Sequence, residues 1–507
     1  MKFIARFLYV PLAGLLVLTS CAKDETESYD KFENQALEAW MTQHRSDLVE
    51  NLQSEGLYYV DLLDAGDLAS DPINTEDIWV SFDFSGRDLS GNIILTRNAD
   101  DAVLAGSFSK YTHYVPFYRY CGSENSGLME GTWLAMRRTL TLGDTYFRNN
   151  KDRLGITSPE VTLRYGSKIR LYMPSSVVGN GVEGTGGYEG QEGYSLSSKR
   201  PFIVTMEIRD TVSNPLEREG TDVDDFCELN GGLQIYSKGD DDTPATEVPE
   251  DPEDPEHPYN ETSKRWVSAC DSIPQVYVNV RYNPAEPRDQ LSFPAPYHVG
   301  YEPYVSEASV RDIDMQIAEA LKKRFHGEGD DYQKYEGVKA LEADSVTLDG
   351  TAKIWYIGRF LDGFIFDTNI DEVKKIIYGE VAQKGTALDY TPSSGGMIQA
   401  FYYTIPNLKF GQWAELITTS TNAYGSSGKS GSSSSSTSGS SGYSSSYLDY
   451  LNYLNYANSY YGSGGYYDSM YGYGYDSSST GTTVTTITTE IPSFTPLIFQ
   501  LYIEPED

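Results

Sequence analysis

Three stretches of the chain set aromatic side chains close to very few polar ones: IWYIGRFLDGFIFDTN at 354–369, GQWAELITTSTNAYG at 411–425 and EIPSFTPLIFQLYI at 490–503. Residues of these types can wall an apolar site and offer it a carboxylate and a hydroxyl or two. They do not assemble a metal centre or a triad: His44, His113, His257, His298 and His326 are scattered, and Cys121, Cys227 and Cys270 fit no zinc spacing. GNGVEG at 179–184 matches G-x-G-x-x-G, but Glu183 and further glycines stand where a phosphate cradle needs a helix N-terminus. No cofactor, metal or nucleotide is expected.

Apolar alternation alone would leave each of these aromatics as ordinary strand core. Their order along the chain says more. An aromatic-rich strand, a Phe-Asp pair, an Ala-Tyr-Gly turn and an Ile-Pro turn follow one another as they do in the FKBP-type peptidyl-prolyl isomerases, which 350–507 resembles. The resemblance places the early-strand tyrosine at Tyr356, the Phe-Asp pair at Phe366 and Asp367, the Val-Ile pair at Met397 and Ile398, and the pocket floor at Phe401. It places the late tyrosine at Tyr424, the Ile-Pro pair at Ile491 and Pro492, and the last pocket phenylalanine at Phe499. The sequence departs from the family at Leu388, where an aromatic is usual, and at Phe401, where the family has tryptophan. The segment 370–386 looks inserted, and a Gly/Ser/Tyr-rich insert at 426–489 replaces a short loop.

The chemistry implied is rotation about an X-Pro amide. That bond resists rotation by about 18–20 kcal/mol, and no acid, base or nucleophile is needed to lower the barrier. A dry aromatic bowl favours the twisted, less polar amide while one or two hydrogen bonds fix its pose. The resemblance assigns the bowl to Tyr356, Phe366, Phe401, Ile491 and Phe499, and the polar handles to Asp367 and the Tyr424 hydroxyl. Met397, Ile398 and Leu388 would line the substrate site.

Such a site needs strands beneath it and a short helix across them. The expected fold class is α+β: two FKBP-like domains, each an antiparallel twisted sheet wrapped on a short helix, preceded by an N-terminal helix. The second copy, at 55–210, is more diverged: GSKIRLYMPSS parallels GQWAELITTST, and FSGRDLSGNIIL parallels YIGRFLDGFIFD. It carries Ile94 and Leu95 in place of Phe-Asp, Val177, Val178 and Gly179 around the late tyrosine, and Val204 at the last phenylalanine. With those groups missing, it is expected to be structural or peptide-binding. Around the two copies, 29–54 has helical apolar spacing, 211–262 is an acidic Pro-rich linker, and 263–349 is a strand and helix extension in which 305–325 is a helix. A bridge between Cys227 and Cys270 is open to consideration.

At 507 residues the chain has room for two or three domains. Its net charge of −35 repels nucleic acid and anionic lipid. Residues 1–20 read as a lipoprotein signal peptide, with Lys2 and Arg6 ahead of an apolar run and Leu18-Thr19-Ser20 before Cys21, the expected lipidation site, and 21–28 as a tether. The mature protein is therefore expected to be anchored by lipid alone in a bacterial envelope, on the outer membrane and at its outer face. Ala22-Lys23-Asp24-Glu25 resembles a surface-sorting signal. Expected partners are proline-containing polypeptides. The rival reading is a non-catalytic FKBP-like surface protein that holds a protein or glycan through the tyrosines of the insert, such as Tyr447, Tyr450 and Tyr453.

Overall fold

The computed structural model describes residues 29–116, 118–125, 127–178, 200–235, 264–270, 273–282, 284, 291, 307–325, 343–379, 381, 384–429, 431–436 and 484–505. The signal segment, Cys21, the GNGVEG loop, the acidic run at 239–258 and the tyrosines of the insert lie outside them.

In chain order the elements begin with α1 (Tyr29–His44), β1 (Tyr59–Ala65), β2 (Ile78–Asp88), β3 (Ile93–Thr96), α2 (Ala99–Ala105), β4 (Tyr118–Cys121) and α3 (Glu130–Arg137). There follow β5 (Leu140–Thr141), α4 (Asp144–Leu154), β6 (Glu160–Val161), β7 (Ser167–Met173), β8 (Phe202–Val212), α5 (Pro215–Leu229), β9 (Leu233–Gln234), β10 (Trp266–Ser268) and β11 (Val276–Asn279). The last are α6 (Glu307–Phe325), β12 (Ala352–Phe360), β13 (Ile365–Thr368), α7 (Asp371–Tyr378), β14 (Leu388–Tyr390), α8 (Gln399–Thr404), β15 (Trp413–Thr418), β16 (Ser432–Ser436), β17 (Val484–Thr488) and β18 (Leu497–Ile503). Among the described residues, no helix is long and apolar enough to cross a membrane.

Two large sheets, antiparallel but for one short pair, share one connectivity. The first runs β1-β7-β8-β2-β3 with β4 on β2; the second runs β11-β15-β18-β12-β13 with β14 on β12, and extends beyond β11 through β10 and β9. Their registers agree around one glycine in each sheet. Gly86 faces Leu95 and Val204, and Gly358 faces Asp367 and Phe499, with a bulge after each glycine. The alternation of β2 and β12 therefore sends equivalent side chains to equivalent faces.

The helices that open each half correspond as well. Glu33 of α1 accepts hydrogen bonds from the backbone N–H (2.7 Å) and the hydroxyl (2.5 Å) of Ser175, just after β7. Glu219 of α5 accepts from the N–H and, at 2.7 Å, the hydroxyl of Ser420, just after β15. Four, seven and eight residues beyond each glutamate stand Leu37, Trp40 and Met41 in α1, and Val223, Phe226 and Cys227 in α5. That spacing turns them toward one side of a helix, and they pack on the two sheets.

This corrects the linker reading over 211–235; the rest of 211–262 lies outside the described residues. Helix α5 starts at Pro215, capped by the Asn214 side chain, and β9 pairs with β10 in the second sheet. Val223, Phe226 and Cys227 are the residues of α5 that touch the sheet, while Leu216 and Leu229 stay exposed, and the acids between them masked the signal. Cys227 is a buried residue of α5, and no disulfide joins it to Cys270. In the insert, Ser432–Ser436 pairs antiparallel with Val484–Thr488, whose β-branched sequence favours an extended partner.

Candidate functional site

The site grows from a glycine. A Cβ on Gly358 would come within 2.6 Å of the Phe366 ring, so only glycine lets that ring lie back across β12. Phe499, opposite Gly358 on β18, then becomes the hub. It meets Phe366 edge-on at 5.7 Å, Phe401 at 5.1 Å and Tyr356 at 6.4 Å. These T-shaped contacts suit the ring quadrupoles and lock the mutual angles of the aromatics. Phe401 enters from α8, which crosses this face, and Ile398, Ile491 and Tyr390 fill the same cluster. Leu388 and Tyr424 pack against it while staying half-buried.

The polar atoms sit at one rim. The Tyr356 hydroxyl donates to Asp367 Oδ2 at 2.9 Å, and Asp367 is exposed. Burial first, then the Asp367 charge, pushes the Tyr356 phenol well above its ordinary range, and the same two causes raise Tyr424. Both phenols therefore stay protonated and able to donate near neutral pH. Ile491 exchanges two backbone hydrogen bonds with Lys429, at 2.7 and 2.8 Å, and the Lys429 ammonium lies 5.5 Å from the centre of the Tyr424 ring. An aromatic cluster edged by neutral donors and one carboxylate can hold a ring and orient an amide. It offers no paired nucleophile and base for covalent chemistry.

Of the residues expected from sequence, Tyr356, Phe366, Ile398, Phe401, Ile491 and Phe499, with Leu388 and Tyr424, meet in or against this cluster, and Asp367 joins it through Tyr356. Met397 does not: it precedes the residue that caps α8 and is 38% exposed, outside the cluster. Tyr390 was missed. It packs edge-on to Phe401 at 6.0 Å, two residues beyond Leu388 on β14, and supplies an aromatic side chain next to the position where Leu388 does not. The two-residue alternation of LDY carried that signal. The segment 370–386 holds α7, whose counterpart α2 follows β3 in the first half, so it belongs to both halves of the fold.

The first sheet lacks the equivalent cluster. Leu95 and Val204 take the places of Asp367 and Phe499. Thr132 occupies the position of Phe401, three residues past the residue that caps α3, and its buried hydroxyl returns to the Met129 carbonyl at 2.7 Å. The Phe202 ring from β8 lies over Gly86 as the Phe366 ring lies over Gly358, so the groove there is filled from the opposite strand.

No family model matches the chain, and no curated protein matches it. Among solved structures, the three FKBP domains of wheat FKBP73 align at 9% identity over 89% of this chain and 95% of theirs, with a TM-score of 0.19. FkpA from Escherichia coli aligns at 12% identity over 41% of this chain and 71% of its own, with a TM-score of 0.21. A peptidyl-prolyl cis-trans isomerase from Pseudomonas syringae pv. tomato aligns at 15% identity over 32% of this chain and 65% of its own, with a TM-score of 0.16.

Proposed function

We propose that the protein is an FKBP-like peptidyl-prolyl cis-trans isomerase whose working site is the Phe499-centred cluster, carried on a lipid-anchored protein of the bacterial envelope. One observation carries the reading: Tyr356, Phe366, Phe401 and Phe499, far apart in sequence, meet at ring-contact distances beside a Tyr356 to Asp367 hydrogen bond. A proline ring would stand against the aromatic walls. Tyr424 would donate to a carbonyl of the bound peptide, and Asp367 would hold Tyr356 in place. Rotation would follow from removing water from the amide and favouring its twisted form, with no covalent step. The first half, without equivalent walls, is proposed to be non-catalytic, Cys21 is proposed to carry the lipid, and the outer membrane surface is the proposed location.

A second reading, a binding protein without catalysis, has one observation in its favour: Phe401 is 0% exposed and Phe499 4%, so a proline reaches the floor only if the cover over it moves. A proline-limited refolding assay on the full chain separates the two. Acceleration by the parent, reduced about a hundredfold in Asp367→Ala/Tyr424→Phe, is expected for the isomerase. No acceleration by the parent, together with retained binding of proline peptides, would establish the binding protein.

A further inference from the structure

The segment that carries Ile491 is held from two directions. On one side Ile491 pairs with Lys429, and the Phe494 N–H donates to the Gly425 carbonyl at 3.3 Å. On the other side it meets the first sheet. Arg97 and Glu490 form an ion pair at 3.1 Å with side chains only 7% and 10% exposed. The Thr489 hydroxyl donates to the Tyr111 carbonyl at 2.7 Å, and Trp79 packs against Phe494 at 4.7 Å with the rings nearly perpendicular. Phe494 has φ of 52°, a conformation that residues with a Cβ keep only where their surroundings hold them.

A second patch lies beside the first. His113 stacks across the rings of Phe360 and Phe364, 4.6 Å from each, with Nε2 2.5 Å from Asp362 Oδ2, and Tyr111 stacks on Tyr378 at 4.2 Å. Phe360 packs on Phe366 at 5.0 Å, so this patch reaches the aromatic cluster from its other flank.

The two halves diverge at the residue that makes the ion pair. Thr96 and Thr368 are equivalent by strand register, so Arg97 corresponds to Asn369. Asn369 serves its own sheet: it accepts from the Tyr356 N–H at 2.8 Å and donates to the Ile354 and Thr386 carbonyls. At the same place the first half carries a long cation that reaches across to Glu490.

We infer that the first sheet is a brace for the candidate site, with Arg97, Tyr111 and Trp79 acting as positioning residues that hold 489–494 so that Ile491 stands as a fixed wall. None of them touches substrate. A preset wall lowers the ordering cost of binding, which places the expected effect on affinity. The kinetic readout rests on the isomerase reading above; the structural readout does not.

The test uses the full chain with Arg97→Met, Glu490→Gln, Trp79→Ala and the exchanged pair Arg97→Glu/Glu490→Arg. Hydrogen exchange at 489–494 is expected to speed up about tenfold or more in the first three variants and to return toward the parent rate in the exchanged pair. KM for a proline peptide is expected to rise roughly five- to tenfold with kcat nearly unchanged. If Arg97→Met does not fold, Trp79→Ala, which strands no buried charge, decides. Unchanged exchange at 489–494 in folded variants would overturn the brace. A parent that exchanges as expected but has no isomerase activity would overturn the isomerase reading and leave the brace standing.

Discussion

The outer faces of the two sheets hold different side chains on the same backbone. In the second sheet Trp355, Trp413 and Tyr502 lie side by side on β12, β15 and β18, and α6 covers them, with Phe325 meeting the three rings at 6.1, 5.5 and 4.6 Å. At the matching positions of the first sheet stand Asp83, Lys168 and Glu207. Lys168 pairs with Glu207 at 2.9 Å, and Arg209 bridges Glu207 and Asp83. One patch needs a helix over it and the other needs water. Strand order is therefore indifferent to what lies above the sheet; three side chains decide whether a helix docks. The inner faces differ in the same way, since Phe366, Phe401 and Phe499 gather around a rim that Ile94, Thr132 and Val204 do not form.

Breaking the outer difference should have the largest effect. Phe325→Ala should cost about 3 kcal/mol of stability, read as a lower urea midpoint together with faster hydrogen exchange along α6. Breaking the inner difference comes next: Phe499→Val, which gives the second site the residue of the first, should lower isomerase kcat/KM roughly a hundredfold, read by proline-limited refolding.

A third prediction concerns pH. Burial raises the Glu219 carboxyl from its ordinary 4.5 to about 7, opposed by the two hydrogen bonds from Ser420. The folded chain therefore keeps this proton where the unfolded chain has already lost it. The stability it contributes is full below pH 4.5, falls as pH rises toward 7, and stays flat above. Glu219→Gln should remove that slope, worth about 2 kcal/mol between pH 5 and 8, as read from urea titrations at both values. Glu415 acts in the same sense. It is fully buried between Asn279 and Gln500 and pushed up to about 8, so part of the slope should survive in the variant. The smallest effect is expected on the charged face of the first sheet, where Lys168→Ala should change stability by no more than about 0.5 kcal/mol because the pair is wet.

Much of the candidate site could be read from the sequence because its residues come in ordered blocks whose spacing strand geometry preserves. Gly358, Phe366 and Phe499 fall together once β12, β13 and β18 are aligned, and the equivalence of Val204 with Phe499 followed from the same alternation. Tyr390 escaped because in LDY both Leu388 and Tyr390 fall on the same face of the strand, and the sequence does not show which of the two reaches Phe401. Helix α5 escaped for a different reason. Val223, Phe226 and Cys227 are apolar among acids, and only the presence of a sheet shows that three such residues suffice. The link from Arg97 to Glu490 had no local signature, since neither residue breaks the pattern of its own segment and nothing periodic connects them.

The clasp between an opening helix and a late serine bears on how the chain is made. Glu33 and Ser175 are 142 residues apart, and Glu219 and Ser420 are 201 apart. Synthesis proceeds from the N-terminus, so Leu37 and Met41, and later Val223, Phe226 and Cys227, emerge long before the sheets they cover. High contact order of this kind slows folding and leaves apolar surface waiting. Each half can therefore lock its first element only late, and a nascent chain halted before Ser175 or Ser420 would show an exposed, unclasped helix to whatever handles it.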